Sequence, residues 1–355
     1  YYEVVPKDAL EKIFWIDSDR MGYMINTVTQ AALEREKQVV KNEKRQRVDN
    51  APYGHTGYVI RKNLYPEGHP YSWTVIGSLE DLQDATLDDV KKFYERWYGA
   101  NNATLVVAGD FDPEQIKTQI EQWFGEMRRG PDVEQTGPMP VTLNETKKLW
   151  YPDNFAKLPE LRMVFPTVEQ YHPDSYPLDV LGRVLAGTKR APLYNVIVDE
   201  QKLAPEVSAY NSSNELAGEF TLRVRALAGK PLDDVAAAIE EGLARFEEYG
   251  FPETELTRIK AELETGFYQG LAGVLNKAFQ LASYNEYAGD PGFASREIEL
   301  MQAVTSEDVM RVYDKYLRGK HFIQTIFVPK DTPELAISGA QLADEVEEKV
   351  VQGAE

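Results

Sequence analysis

The sequence contains no cysteine, and no run of apolar residues approaches the roughly 20 residues that a membrane-spanning helix needs. The missing cysteine excludes disulfides, thiolate metal sites and a cysteine nucleophile, although it indicates no particular compartment. Positive charge is also scarce: 39 Lys and Arg residues stand against 58 Asp and Glu residues, a net charge of −19. That balance argues against nucleic acid and anionic membrane surfaces as partners, because both require clustered Lys and Arg.

Several common catalytic motifs are absent as well. The sequence has no Gly-x-Gly-x-x-Gly motif and no Walker lysine, which argues against nucleotide binding. It has no Gly-x-Ser-x-Gly motif of a serine hydrolase. What is present is a chain of 355 residues with 43% hydrophobic residues, typical of a folded protein with two domains of ordinary size.

The sequence pattern of residues 1–127 predicts a helix-rich first domain. One helix carries Thr29 through about Val48, and another begins at the capping-box-like Thr86-Leu-Asp-Asp89. Thr104-Leu-Val-Val-Ala-Gly109 predicts a short buried strand. The sequence therefore indicates an α+β domain.

Residues 128–145 are rich in Gly and Pro, which is typical of an exposed linker. A second domain over residues 146–330 starts with strand-like segments and contains a predicted hairpin around Asn214-Glu-Leu-Ala-Gly218. Residues 331–355 are polar and acidic, and we interpret them as a tail or linker.

The two predicted domains share a repeated pattern. Thr86-Leu-Asp-Asp-Val-Lys-Lys-Phe-Tyr94 aligns with Thr305-Ser-Glu-Asp-Val-Met-Arg-Val-Tyr313, and each segment leads into an apolar strand-like segment. A helix–strand unit that recurs one domain apart indicates duplication, although Thr-x-x-Asp also begins many unrelated helices.

Two glutamates in the second helix, Glu36 and Glu43, are candidate functional residues. Their seven-residue spacing is close to two helical turns, so both carboxylates project from one face about 10 Å apart along the axis. Carboxylates on a rigid helix are suited to binding a metal or orienting one of its ligands. Periodicity alone favours a solvated charged face shared with neighbouring Lys, Arg and Glu residues.

The order of several short motifs resembles the pitrilysin/insulinase (M16) zinc peptidases. These motifs are the acidic helix segment Leu33–Gln46, Glu67-Gly-His-Pro-Tyr71 with Ile76-Gly77, Asn101–Asp110, and Leu185–Tyr194 with Leu203–Ser208. The resemblance implies two homologous α+β domains of the LuxS/MPP-like metallohydrolase type, each an antiparallel sheet covered by helices.

The resemblance also implies roles for the two glutamates. Glu43 corresponds to the family's glutamate ligand of Zn²⁺, and Glu36 to a supporting acid that orients the metal site. The family's two His ligands and its general base come from an upstream His-x-x-Glu-His, which this chain does not contain. We expect that motif to precede Tyr1, so the chain is predicted to retain one zinc ligand and to be inactive by itself.

The four histidines offer no replacement for that motif. His55 and His69 are not spaced as two helix-borne zinc ligands require. His69, before Pro70, is interpreted as a residue that packs a loop, and His172 and His321 as surface or boundary residues.

Two functions are compatible with the sequence. One is a zinc metalloendopeptidase that hydrolyses peptides or unfolded polypeptides in a closed chamber; the alternative is a non-catalytic M16 homologue with a structural or substrate-binding role. Retention of Glu36 and Glu43 favours the first. The resemblance implies a peptide substrate and a second M16 half, either fused or a separate subunit. The compartment stays open, with a periplasmic or other bacterial location favoured.

Overall fold

The computed structural model of the protein describes residues 1–343, which contain α-helices and a six-stranded sheet. The helices are α1 Leu10–Tyr23, α2 Gln30–Lys44, α3 Thr56–Leu64, α4 Leu79–Asp84, α5 Leu87–Trp97, α6 Pro113–Phe124, α7 Ser175–Ala186, α8 Pro192–Tyr194, α9 Leu232–Tyr249, α10 Glu253–Gly270, α11 Val274–Ser283, α12 Ala294–Ala303 and α13 Ser306–Tyr316. None of the helices in this range is long and apolar enough to cross a membrane.

The chain divides into two compact units, and each unit is made of three segments that are separated in the sequence. Unit 1 comprises Tyr1–Lys41, Ser78–Thr136 and Gly266–Ala294; unit 2 comprises Asn42–Gly77, Gly137–Thr265 and the chain from Ser295 onward. The limits expected from the sequence, 1–127 and 146–330 with a linker at 128–145, stay a prediction.

Unit 1 is helical over its described residues, and its core lies where α1 packs against α6. Phe14 of α1 is buried, and its ring centroid lies 5.7 Å from that of Phe124, edge to face. Tyr94 of α5 is buried too, and its hydroxyl donates a hydrogen bond to the carbonyl of Met21. Aromatic packing thus holds three helices of this unit together.

The prediction of a β-strand at residues 104–109 is wrong. The segment is extended, but among residues 1–343 it pairs with no other strand, and its backbone amides and carbonyls form no hydrogen bonds. Leu105 is 48% exposed rather than buried. An apolar, β-branched sequence favours extended backbone, but a strand also requires a neighbour, which periodicity cannot reveal.

Unit 2 is built on the sheet. Its strands are β1 Lys147–Asp153, β2 Glu160–Thr167, β3 Val207–Ser213, β4 Gly218–Arg225, β5 Ile323–Pro329 and β6 Gln341–Leu342, in the order β3-β4-β2-β5-β1-β6. The predicted β3–β4 hairpin is confirmed. The α+β class is confirmed as well, but the sheet is mixed rather than antiparallel, because β1 runs parallel to β5 and β6.

Both faces of this sheet carry apolar side chains. On one face, residues such as Leu161 and Leu222 belong to the main core with helices α7, α9 and α13. On the other face, Val164 and Ile323 pack with Val59 of α3 in a smaller cluster. Burial is nearly continuous along β2 and β5, as expected of central strands that are covered on both faces.

The packed structure extends further along the chain than the sequence indicated. Residues after Asp331 were expected to form a tail or linker, yet Leu335, Ile337 and Ala343 are buried, and β6 pairs with β1. A few apolar residues within a polar segment are a weak signal of burial, so the sequence did not predict that this segment packs against unit 2. The acidic residues predicted to end the chain, 344–355, lie outside the described residues.

The repeated helix start is confirmed at both positions. Thr86 and Thr305 each begin an 11-residue helix, and in each the threonine oxygen accepts a hydrogen bond from the amide of the Asp three residues later. The carboxylate of that Asp in turn accepts hydrogen bonds from the threonine hydroxyl and from the threonine amide, and both lower the pKa of the Asp89 and Asp308 carboxyls. Whether the two units superpose as homologous folds stays a prediction.

We expect Thr86→Ala and Thr305→Ala each to lower the free energy of unfolding by about 1 kcal/mol, because each loses a helix cap. Thr118→Ala and Thr257→Ala are matched controls, since those hydroxyls bond carbonyls within a helix and cap nothing. Urea unfolding followed by circular dichroism measures all four. Equal losses in controls and caps would contradict the assignment.

We also expect the amides of residues 105–108 to exchange with deuterium near the intrinsic rate in the 355-residue polypeptide, because they form no hydrogen bonds within residues 1–343. The amides of β5, which follows the second copy of the repeated helix, are the internal comparison and should exchange orders of magnitude more slowly. Strong protection of residues 105–108 would show that they pair with a strand.

Candidate functional site

Helix α2 carries both candidate glutamates, as the sequence predicted. Glu36 is exposed, and the Glu43 side chain is 40% exposed and forms an ion pair with Arg47, with 2.9 Å between Oε1 and the guanidinium. The assignment of Glu43 as a metal ligand and Glu36 as its supporting acid stays a prediction.

The buried positions of α2 are lysines, whereas Leu33 and Val40 are only partly buried and Val39 is exposed. Lys37 and Lys44 are each only 4% exposed. Lys37 Nζ donates to the carbonyl of Gln83 at 2.9 Å, and Lys44 Nζ lies 2.9 Å from the Asp49 carboxylate. Long lysine stems can cover apolar neighbours while the ammonium finds acceptors, so a helix with few apolar residues still packs.

His69 has the packing role that the sequence suggested. It is 3% exposed; its Nε2 lies 3.1 Å from the carbonyl of Met139, and its Nδ1 accepts a hydrogen bond from the Tyr71 amide at 2.9 Å. Its ring also contacts those of Tyr65 and Tyr71. Because both ring nitrogens are engaged, His69 has no lone pair available for a metal.

The Tyr65 and Tyr71 side chains connect the loop at residues 65–71 to the β3–β4 hairpin through hydrogen bonds. The Tyr65 hydroxyl donates to Glu219 at 2.8 Å, and the Tyr71 hydroxyl accepts from the amide of Leu216 at 3.1 Å. Burial, together with the Glu219 carboxylate, raises the pKa of Tyr65, so it stays a hydrogen-bond donor. The Glu67–Tyr71 motif therefore builds a structural junction within unit 2.

The structure brings no complete metal site together. Across residues 1–343, no group of three His, Asp or Glu side chains is placed to hold a metal ion. His172 is half-buried and caps the turn before α7, and His321 is exposed. The residues present therefore do not fit a zinc ion by themselves.

Sequence reasoning missed a charged cluster on the sheet. Glu160 of β2 is 1% exposed and contacts Arg162 on its own strand and Arg223 and Arg225 on β4. Burial alone raises the pKa of Glu160, but its ion pairs with the arginines outweigh burial and hold that pKa below the ordinary value. Arg-x-Arg in the β4 sequence was the available signal, because alternate strand residues share a face.

The family of the chain follows from comparison with known proteins. A family profile described as "Peptidase M16 inactive domain" matches residues 84–263, about half of the chain. The chain belongs to the peptidase M16 family. Among M16 relatives, zinc protease PqqE of Helicobacter pylori is 25% identical over 328 residues, covering 90% of this chain and 71% of that protein.

Solved M16 structures share the fold. A protease from Helicobacter pylori superposes with a TM-score of 0.81 at 22% identity, over 92% of this chain and 78% of the other. The first half of the periplasmic protease PqqL from Escherichia coli gives 0.73 at 17% identity, over 95% and 74%. The M16-type fold expected from the sequence is therefore confirmed.

We expect His69→Ala to lower the free energy of unfolding by about 2–4 kcal/mol, because it leaves a cavity and two buried groups without partners. His321→Ala is the matched control, since that side chain is exposed, and it should change little. Thermal unfolding with and without a chelator measures the effect. A loss seen only when chelator is absent would instead identify His69 as a metal ligand.

Proposed function

We propose that this chain is part of a zinc-dependent M16 metalloendopeptidase that hydrolyses peptides or unfolded polypeptides in a closed chamber. The observation that carries the proposal is the presence of Glu36 and Glu43, seven residues apart on one continuous helix, in a chain of this family. Glu43 is the proposed zinc ligand. Glu36 is the proposed residue that orients the metal site.

The chain needs further residues for this activity. The described part contains no metal site, and Glu43 is paired with Arg47 instead. We propose that a His-x-x-Glu-His segment outside the given sequence supplies two ligands and the general base. Without those residues, the 355-residue polypeptide should have no peptidase activity and no tight zinc site.

A second M16 half is part of the proposal. Similarity to the first half of PqqL supports a partner half fused after this chain, and a separate subunit is the alternative arrangement. That protease is described as periplasmic, which supports a periplasmic location here. Peptides would be bound by backbone pairing with extended segments, which gives affinity without strict sequence demands.

A non-catalytic role is the second candidate. The matching family profile is described as an inactive domain, and the exposure of Glu36 is what a solvated helix face would give. In that case the chain would bind substrate or support a catalytic subunit, and its zinc content would be unrelated to Glu43.

Zinc content of the complete gene product separates the two candidates. We expect Glu43→Gln to lose at least about 90% of the bound zinc, because a ligand is removed. Glu36→Gln should lower peptide hydrolysis about 10–100-fold while keeping part of the metal, as residues that orient ligands do. The measurements are metal analysis and hydrolysis of a quenched fluorescent peptide.

Glu121→Gln is the matched control, because Glu121 is an exposed helical glutamate. It should retain wild-type zinc and activity. Wild-type zinc in Glu43→Gln would remove the ligand assignment, and hydrolysis by the pure 355-residue polypeptide that a chelator abolishes would show that the chain is complete.

A further inference from the structure

Three arginines surround one carboxylate on the face of the sheet that also carries α3. In the register of β2 with β4, Glu160 lies opposite Arg225, and Arg162 lies opposite Arg223. Glu160, Arg162 and Val164 alternate along β2 and so share a face, and Val164 packs against α3. We call Arg162, Arg223 and Arg225 the arginine cluster; it lies beside the part of the sheet that α3 covers.

Glu160 organises the cluster. Its Oε1 accepts from Arg162 Nε at 2.8 Å, and its Oε2 accepts from Arg223 Nε at 3.1 Å and from the Arg225 terminal nitrogen at 2.8 Å. The Arg225 guanidinium also stacks on the ring of Tyr53, 4.2 Å from its centroid. A buried anion and an aromatic face thus hold the guanidinium groups in fixed positions.

The cluster carries unbalanced positive charge in an acidic protein. Three arginines share a single carboxylate, and among residues 1–343 no other Asp or Glu forms an ion pair with them. The ratio is reversed at Arg245, which has two acidic partners, Glu200 and Glu241. The chain has a net charge of −19, yet within residues 1–343 only one acidic side chain pairs with this cluster.

The guanidinium groups are accessible to a ligand. The arginine side chains are 22%, 30% and 35% exposed, whereas Glu160 is almost completely buried. Each guanidinium has N–H donors beyond those that point to Glu160, and the planar fork matches a carboxylate. The cluster therefore offers further N–H donors to a ligand.

We propose that the arginine cluster binds a carboxylate of a peptide ligand, which is either an acidic side chain or a free C-terminus. The inference rests on the proposed function in taking the ligand to be a peptide. Glu160 neutralises one of the three positive charges, so an excess of two positive charges remains to attract a ligand carboxylate. The cluster would give the chain a preference for acidic peptides.

Fluorescence anisotropy with the 355-residue polypeptide tests this preference. The probes are a short labelled peptide in four forms, with Asp or Asn at one internal position and with a free or amidated C-terminus. We expect the form that carries the recognised carboxylate to bind about tenfold more tightly than the neutral, amidated form, and the two other forms identify which carboxylate is recognised.

Substitutions of the arginines test whether the arginine cluster causes the preference for acidic peptides. Arg225→Gln should abolish the difference between acidic and neutral peptides, and Arg225→Lys should retain part of it, because the charge stays but the fork is lost. Arg223→Gln gives an independent measurement if Arg225→Gln fails to fold. Arg296→Gln is the matched control: Arg296 is exposed, pairs only with Glu299 among the described residues, and should leave the preference unchanged.

The outcomes separate the inference from the proposed function. Equal affinity of the wild-type polypeptide for all peptide forms would overturn the inference and leave the proposed function standing. An acidic preference that survives in both Arg225→Gln and Arg223→Gln would overturn it too. No binding of any peptide form would also overturn the inference, but it would leave the proposed function standing, because that function requires a second M16 half.

Discussion

Backbone pairing of β2 with β4 and β5 is the interaction on which the described structure of unit 2 depends. It places Leu161 and Met163 in the main core and directs Val164 to the opposite face, beneath α3. A shift of register by one residue would exchange these faces and put Glu160 into the main core. Burial of apolar residues on both faces therefore fixes the register, and that register assembles the arginine cluster.

Helix α2 depends on a different constraint, because it has little apolar surface. It is anchored through Lys37 and Lys44, whose ammonium groups find acceptors at the surface of the packed helix. Each lysine directly follows one of the two glutamates, so anchoring the lysines also fixes the direction of the carboxylates. The same helix could thus serve as a rigid support for a ligand such as Glu43.

Local signals in the sequence predicted the capped helices at Thr86 and Thr305, the β3–β4 hairpin and the packing role of His69, because each depends on residues close in the chain. Partner-dependent features were not predictable in the same way. Residues 104–109 have the composition of a strand but pair with no other segment of the described residues, and the parallel pairing of β1 with β5 joins segments far apart in sequence. For the site, the pattern of Glu36 and Glu43 was visible, but the cluster around Glu160 depends on cross-strand register.

A structure of the complete gene product with bound zinc tests the central claim most directly, namely that this chain contributes Glu43 to an M16 metal site completed by other residues. The account predicts a Glu43 carboxylate oxygen about 2.0–2.2 Å from the zinc ion, with the ion pair to Arg47 broken. Glu36 should lie near the site without contacting the metal. Zinc bound by other residues, with Glu43 still paired to Arg47, would contradict the account.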